Sequence, residues 1–111
     1  MSKGKWLSFK DVEKALHETP DKRSVLAWER GQIEVKLFEP RGKDTQTPHT
    51  RDEIYVVVKG TGNFICAGET KAFSEGDFLF APAGADHRFL DFSDDLSVWV
   101  IYYGPEGGEK V

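Results

Sequence analysis

Gly76-Asp-Phe-Leu-Phe-Ala-Pro82-Ala-Gly84-Ala-Asp-His87-Arg-Phe-Leu-Asp91 holds two short apolar runs on either side of a turn. Phe78 to Ala81 and His87 to Leu90 are rich in aromatic residues and bounded by glycine and proline, so both read as strands. Pro82-Ala-Gly84 supplies a fixed φ and a residue free to adopt positive φ, which is what a tight corner needs. His87 stands where the chain leaves that corner and enters the next strand.

The same punctuation recurs on both sides. Ser24 to Glu29 and Gln32 to Phe38 flank Arg30-Gly31 and predict a hairpin, with Ile33, Val35 and Leu37 on a core face and Glu34 and Lys36 on a face toward solvent or an interface. Further strands are expected at Glu53 to Val58, Gly62 to Ala67, Thr70 to Phe73 and Leu96 to Tyr103. Short strands at such spacing predict a sandwich or barrel. One segment alone has helical period: Phe9, Val12 and Leu16 recur on one face, Ser8 can cap the start with Asp11 three residues on, and Pro20 lies beyond the end. This helix is expected to dock on the barrel, with His17 on its surface and without a role. The last residues, from Gly104 to Val111, carry no apolar pattern and are expected to be loosely held.

With 111 residues the chain fits one domain, and 39% hydrophobic against 31% charged residues is enough apolar content to build a core. No apolar run reaches the roughly 18–20 residues that cross a bilayer, and the first residues lack the apolar stretch of a signal peptide, so the expectation is a cytoplasmic protein without membrane contact. Net charge is −4, and no Lys/Arg cluster interleaves with aromatics, which argues against nucleic acid as a partner. The single cysteine, Cys66, allows no intramolecular disulfide and reads as a small packed strand residue.

The chemistry is expected near the one long polar connection, Glu39 to Arg51. His49 and Glu53 are four apart where this loop enters a strand, so in extended backbone they project to one side and could grip an ion together. His87 can join them only if the sheet closes on itself. Alternation from Glu53 turns Tyr55 and Val57 inward, and alternation from His87 turns Phe89 and Asp91 toward the same pocket. The result would be a compact, largely apolar cavity suited to a small molecule. Arg51-Asp52 and Ser93-Asp94-Asp95 read as solvated loops.

Two motifs in this order resemble those of the cupin family. The first, G-x5-H-x-H-x3,4-E-x6-G, is met by the run from Thr47 to Gly60, with His49 on the second histidine, Glu53 on the glutamate and Gly60 on the glycine; Thr47 holds the place of the first histidine, and Gly42 is one residue nearer than the motif asks. The second, G-x5-P-x-G-x2-H-x3-N, is met by Gly76, Pro82, Gly84 and His87, with Asp91 in place of asparagine. The resemblance implies an all-β fold, a double-stranded β-helix or jelly-roll barrel over residues 23–104, preceded by a helical extension, 1–22, and followed by a flexible tail, 105–111. It implies His49, Glu53 and His87 as ligands of a divalent metal ion, Fe, Mn, Ni or Zn. Two histidines and a carboxylate leave open coordination positions of the kind used in non-haem iron oxygen chemistry. The missing ligand could be supplied by water, the Thr47 hydroxyl, Gln46 or Asp44, and Tyr55, Phe89 and Asp91 are further pocket candidates. The implied activity is metal-dependent chemistry on a small molecule, dioxygenase-type, or else non-catalytic binding or sensing of a small metabolite. A homodimer is expected, through the amino-terminal strand or the Trp6-to-Leu16 helix.

Overall fold

Eight strands form where period-two alternation and glycine punctuation predict them: β1 (Ser24–Arg30), β2 (Ile33–Phe38), β3 (Asp52–Lys59), β4 (Gly62–Cys66), β5 (Glu69–Phe73), β6 (Phe78–Ala81), β7 (His87–Leu90) and β8 (Ser97–Tyr103). The structure is a computed structural model and describes residues 3–110. Helix α1 (Phe9–His17) precedes the strands, and the Ser8 hydroxyl accepts from the Asp11 amide as the sequence predicts. Such a cap satisfies one of the orphan amides of the first turn and is worth about 1 kcal/mol.

The strands build two antiparallel sheets, ordered β1-β2-β8-β3-β6 and β5-β4-β7, which make a jelly roll. Between them Tyr55, Val57, Phe64, Phe73, Phe89 and Val98 form the core, with the Tyr55 ring edge-on to Phe89 at 5.0 Å and to Phe64 at 5.6 Å. At Gly60 the φ of +101° and the approach of Leu96 Cα, 2.8 Å from where a Cβ would stand, admit only glycine.

The two faces of β2 are reversed from the expectation. Register runs Lys36↔Val100↔Tyr55 and Glu34↔Tyr102↔Glu53 across β2, β8 and β3, so Lys36 and Glu34 share the inner face with the buried Tyr55 and Glu53. Val35 and Leu37 point outward. Leu37 is nevertheless fully buried, because α1 packs on the outer face of β1 and β2, with Phe9 edge-on to Trp99. Apolar alternation marks a covered face; it does not say which side of the sheet is covered.

Arg51-Asp52 is no solvated loop. Asp52 begins β3 and is buried, accepting from the amides of Ala83 and Glu109, each at 2.9 Å. These bonds hold its carboxyl below the usual range, against the effect of burial. Arg51 is paired with Glu34 at 2.7 Å. Residues 105–110 are tied down by the Glu109 bond and by the Gly107 amide on the Thr50 carbonyl. Asp91 also departs from expectation: β7 ends at Leu90, φ turns positive at Asp91 (50°), and the side chain is exposed, away from the pocket. Ser93-Asp94-Asp95 does form a largely solvated turn. Cys66 is half-buried against the core, and burial, then the Glu53 charge, push its thiol upward, so it packs rather than reacts.

Candidate metal centre

Glu53 lies on β3 of the larger sheet and His87 on β7 of the smaller, so they face each other only because the barrel closes. His49 comes from the connecting loop, which is locked to the Pro82-to-Gly84 turn by the bond from the Gly84 amide to the His49 carbonyl, 2.7 Å. That single bond couples the loop carrying one histidine to the turn that delivers the other. Donor atoms of His49, Glu53 and His87 all lie within 4.8 Å of one another.

Glu53 is almost completely buried. Its Oε1 is 2.7 Å from His49 Nδ1 and 3.1 Å from His87 Nε2, while Oε2 accepts from the Tyr55 hydroxyl at 2.6 Å. Burial alone would raise the carboxyl; the bonds from His49 and Tyr55 and the closeness of the His87 imidazole outweigh it and hold it at about 2. It is therefore an anion at any ordinary pH. The same burial and the Glu53 charge push the Tyr55 and Tyr102 hydroxyls well above the usual phenol range, so both stay protonated as donors.

His87 decides how the cluster is read. Its Nδ1 is 2.8 Å from the Ala85 carbonyl, which can only accept, so Nδ1 carries a proton and donates. In neutral imidazole the buried Nε2 is then a bare lone pair facing the carboxylate, and it makes no hydrogen bond of acceptable angle. Either a second proton or a cation must lie between them. Burial lowers the affinity of this imidazole for that proton, but Glu53 and the Ala85 carbonyl outweigh it and raise the pKa above the ordinary histidine value.

Of the remaining candidates, Gln46 is present: its Oε1 is 3.1 Å from the Tyr55 hydroxyl, and its Nε2 donates to Asp44 at 2.6 Å. Asp44 is buried and also accepts from the Phe89 amide at 2.8 Å, so it pins the loop to β7. Phe89 packs beneath the site in the core. Thr47 is exposed and lies outside the cavity that His49, Glu53 and Tyr55 line. Two residues escaped the sequence reading: Tyr102, whose hydroxyl is 3.4 Å from His49 Nε2, and Lys36. The inward register of β8 and β2 identifies them, and strand pairing is invisible in a single sequence.

The cavity that His49 and Glu53 line, and His87 does not, measures about 180 Å3. A larger groove, about 570 Å3, lies on the outer face of the sheet between Lys3 to Leu7 and Trp28, Val35 and Trp99, away from any cluster of donors. His17, expected to be idle, is bonded to Glu39 at 2.7 Å and forms with Glu13 a second His/Glu group.

A family model for the cupin domain matches residues 34–102. This chain is a cupin. Among curated relatives, an uncharacterized protein of Streptomyces coelicolor is 40% identical over 63 residues, covering 57% of this cupin and 60% of that protein. A second uncharacterized protein, from Aquifex aeolicus, is 36% identical over 66 residues, 57% of this chain and 54% of that one, so this cupin spans little more than half the length of these relatives. Of solved structures, a cupin-2 domain protein of Shewanella frigidimarina aligns with TM-score 0.68 at 16% identity, over 88% of this chain and 94% of that one. KdgF from a Halomonas species aligns with TM-score 0.64 at 24% identity, over 75% and 80%. At such identities these structures speak for the fold and nothing finer. Cupins often bind metal, and the His49-Glu53-His87 group could hold an ion.

Proposed function

We propose that this cupin holds a divalent first-row metal ion, Fe, Mn, Ni or Zn, on His49, Glu53 and His87 and uses it for chemistry on a small molecule, dioxygenase-type. The observation that carries the reading is the bare, buried Nε2 of His87, turned toward an ionised carboxylate and a second histidine by the bond at its far nitrogen. A histidine oriented through its second nitrogen, beside a carboxylate, is the usual arrangement of a metal ligand and its support. Tyr55 donates to Glu53 Oε2, while Oε1 is the oxygen turned toward both histidines. Bound there, the ion supplies Lewis acidity and open coordination positions for substrate or dioxygen. A non-catalytic metabolite-binding module is the second reading, favoured by the bonds that His49 and Tyr55 already make to Glu53 without an ion.

Elemental analysis of protein purified without chelator, and of protein supplied with each of the four metals, tests the first claim. The expected result is up to one ion per chain in the parent and very little in Glu53→Gln. Negligible metal in every parent preparation overturns it. Oxygen uptake by the Fe(II)-loaded parent across thiols, phenols, diketones and keto acids separates enzyme from binding module. The small-molecule partner is joined by a second copy of the chain: β6 is an edge strand whose Phe78 and Phe80 are 63% and 44% exposed, a surface that pairing in a homodimer would cover. Mass measured by light scattering checks it, and a monomer at all concentrations refutes it.

A further inference from the structure

We propose that the ligand taken beside the three candidate metal donors is a small carboxylate, received by Lys36. The proposal rests on the metal-binding reading above and adds the charge and size of the molecule.

Among the described residues Lys36 is the one lysine or arginine lining this cavity. It stands on the inner face of β2, in the row Lys36↔Val100↔Tyr55, two strands from β3 and adjacent to the row that holds Tyr102 and Glu53. Its Nζ lies 5.5 Å from the centroid of the Tyr102 ring, and that centroid is 5.3 Å from the His49 ring. The Tyr102 ring therefore neighbours both the ammonium and His49, and all three residues line the one cavity.

Among the described residues no carboxylate pairs with it. Glu34, on the same face and near the mouth, is engaged by Arg51 at 2.7 Å. Glu53 is taken by His49, His87 and Tyr55, and Asp44 by the amides of Phe89 and Gln46. Glu106 lies at the outer rim and is exposed. The ammonium of a half-buried lysine, facing an aromatic ring with every nearby carboxylate committed elsewhere, is a cation lacking a counter-charge.

A divalent ion would outweigh the single carboxylate of Glu53, and Lys36 adds positive charge to the same cavity. The cavity is then cationic, and an anion completes it. Its volume of about 180 Å3 equals roughly six waters at about 30 Å3 each, which limits the occupant to a molecule of some two to four carbons or to the corresponding end of a longer one. The lining suits a bifunctional ligand, with its carboxylate on Lys36 and a hydroxyl or keto oxygen toward the His49 and Glu53 side.

Lactate and its uncharged analogue lactamide, of equal size, are the probes. Each is titrated into Co(II)-loaded parent, Lys36→Met and Lys36→Arg, followed by the visible Co(II) bands and by calorimetry. Lactate is expected to bind the parent at least tenfold tighter than lactamide. That preference should fall at least fivefold in Lys36→Met and persist in Lys36→Arg, with Co(II) content unchanged in all three. Equal binding of the two probes by the parent overturns the proposal, as does a preference that survives intact in Lys36→Met, since lactate would then be held by the ion alone. A parent that takes up no Co(II) refutes the metal reading instead. The carboxylate site is then decided on the metal-free protein by whether lactate, and not lactamide, shifts the NMR signals of Lys36 and Tyr102.

Discussion

Among the described residues two groups set histidine against carboxylate with donor atoms within 4.8 Å of one another, and they differ in the charges around them. His49, Glu53 and His87 converge from a loop and two sheets; Glu53 and His87 are 1% exposed, and a nitrogen of His87 is left without a hydrogen bond. Glu13 and His17 sit one turn apart on α1 and meet the buried Glu39, where Lys59 pairs with Glu13 at 2.9 Å and Arg41 stands 3.8 Å from Glu39. The helix group has two carboxylates and already has two cations. Residue types and distances are alike in the two groups, and what separates them is whether counter-charge is present. In the barrel it is not, apart from protons on histidine.

The largest test of that contrast is metal affinity. Glu53→Gln should weaken Zn(II) or Co(II) binding about a thousandfold, since it removes the only charge offered to the ion from a buried site. Glu13→Gln should change it less than twofold. Competition with a chelating dye reads both, and a comparable loss in the two variants would erase the distinction.

The next is acid and base dependence of the metal-free protein, followed by urea unfolding between pH 3 and 9. Glu53 is depressed to about 2 from an ordinary 4.5, so its contribution, on the order of 3 kcal/mol, is present above the ordinary value and lost as pH falls toward 2. His87 is raised above its ordinary 6.5, so its contribution is full below that value and disappears as pH rises through the higher folded one. Stability should thus peak between about pH 4.5 and 6.5, and added Zn(II) should restore what is lost on the alkaline side. A flat alkaline limb in the metal-free protein would mean that His87 gains nothing from Glu53.

Tyr55→Phe should cost about 1–3 kcal/mol, because it leaves buried Glu53 Oε2 without its donor. The smallest effect belongs to the helix: Lys59→Met should cost no more than about 1 kcal/mol, as ion pairs that keep contact with solvent do. If the helix variant proves the more damaging in thermal melts, the surface network matters more than its exposure implies.

Much of this arrangement is legible in the residues. Glycine and proline at the corners mark the strands, and the spacing of His49 to Glu53 and the position of His87 after its turn mark the donors, because both signals are local. Lys36 and Tyr102 are not legible, since their place in the cavity depends on which strands pair and in what register. Lys36 is even misleading: beside apolar Val35 and Leu37 it looks solvent-facing, and only the docking of α1 on the outer side reverses that sense. Asp52 and Asp44 look like loop acids, yet each accepts backbone amides from segments far along the chain. Asp91 fails for the opposite reason: alternation was extended past the point where the strand ends.

The carboxylate of Asp52 clasps three separate parts of the chain: the start of the strand that carries Glu53, the corner that precedes His87 and the carboxyl-terminal segment. Peeling the last residues away would therefore not be a local event. The amides of Ala83 and Glu109 bond the two oxygens of one carboxylate, so a motion that displaces Asp52 releases both, and the terminus and the donor corner are expected to open together in hydrogen exchange.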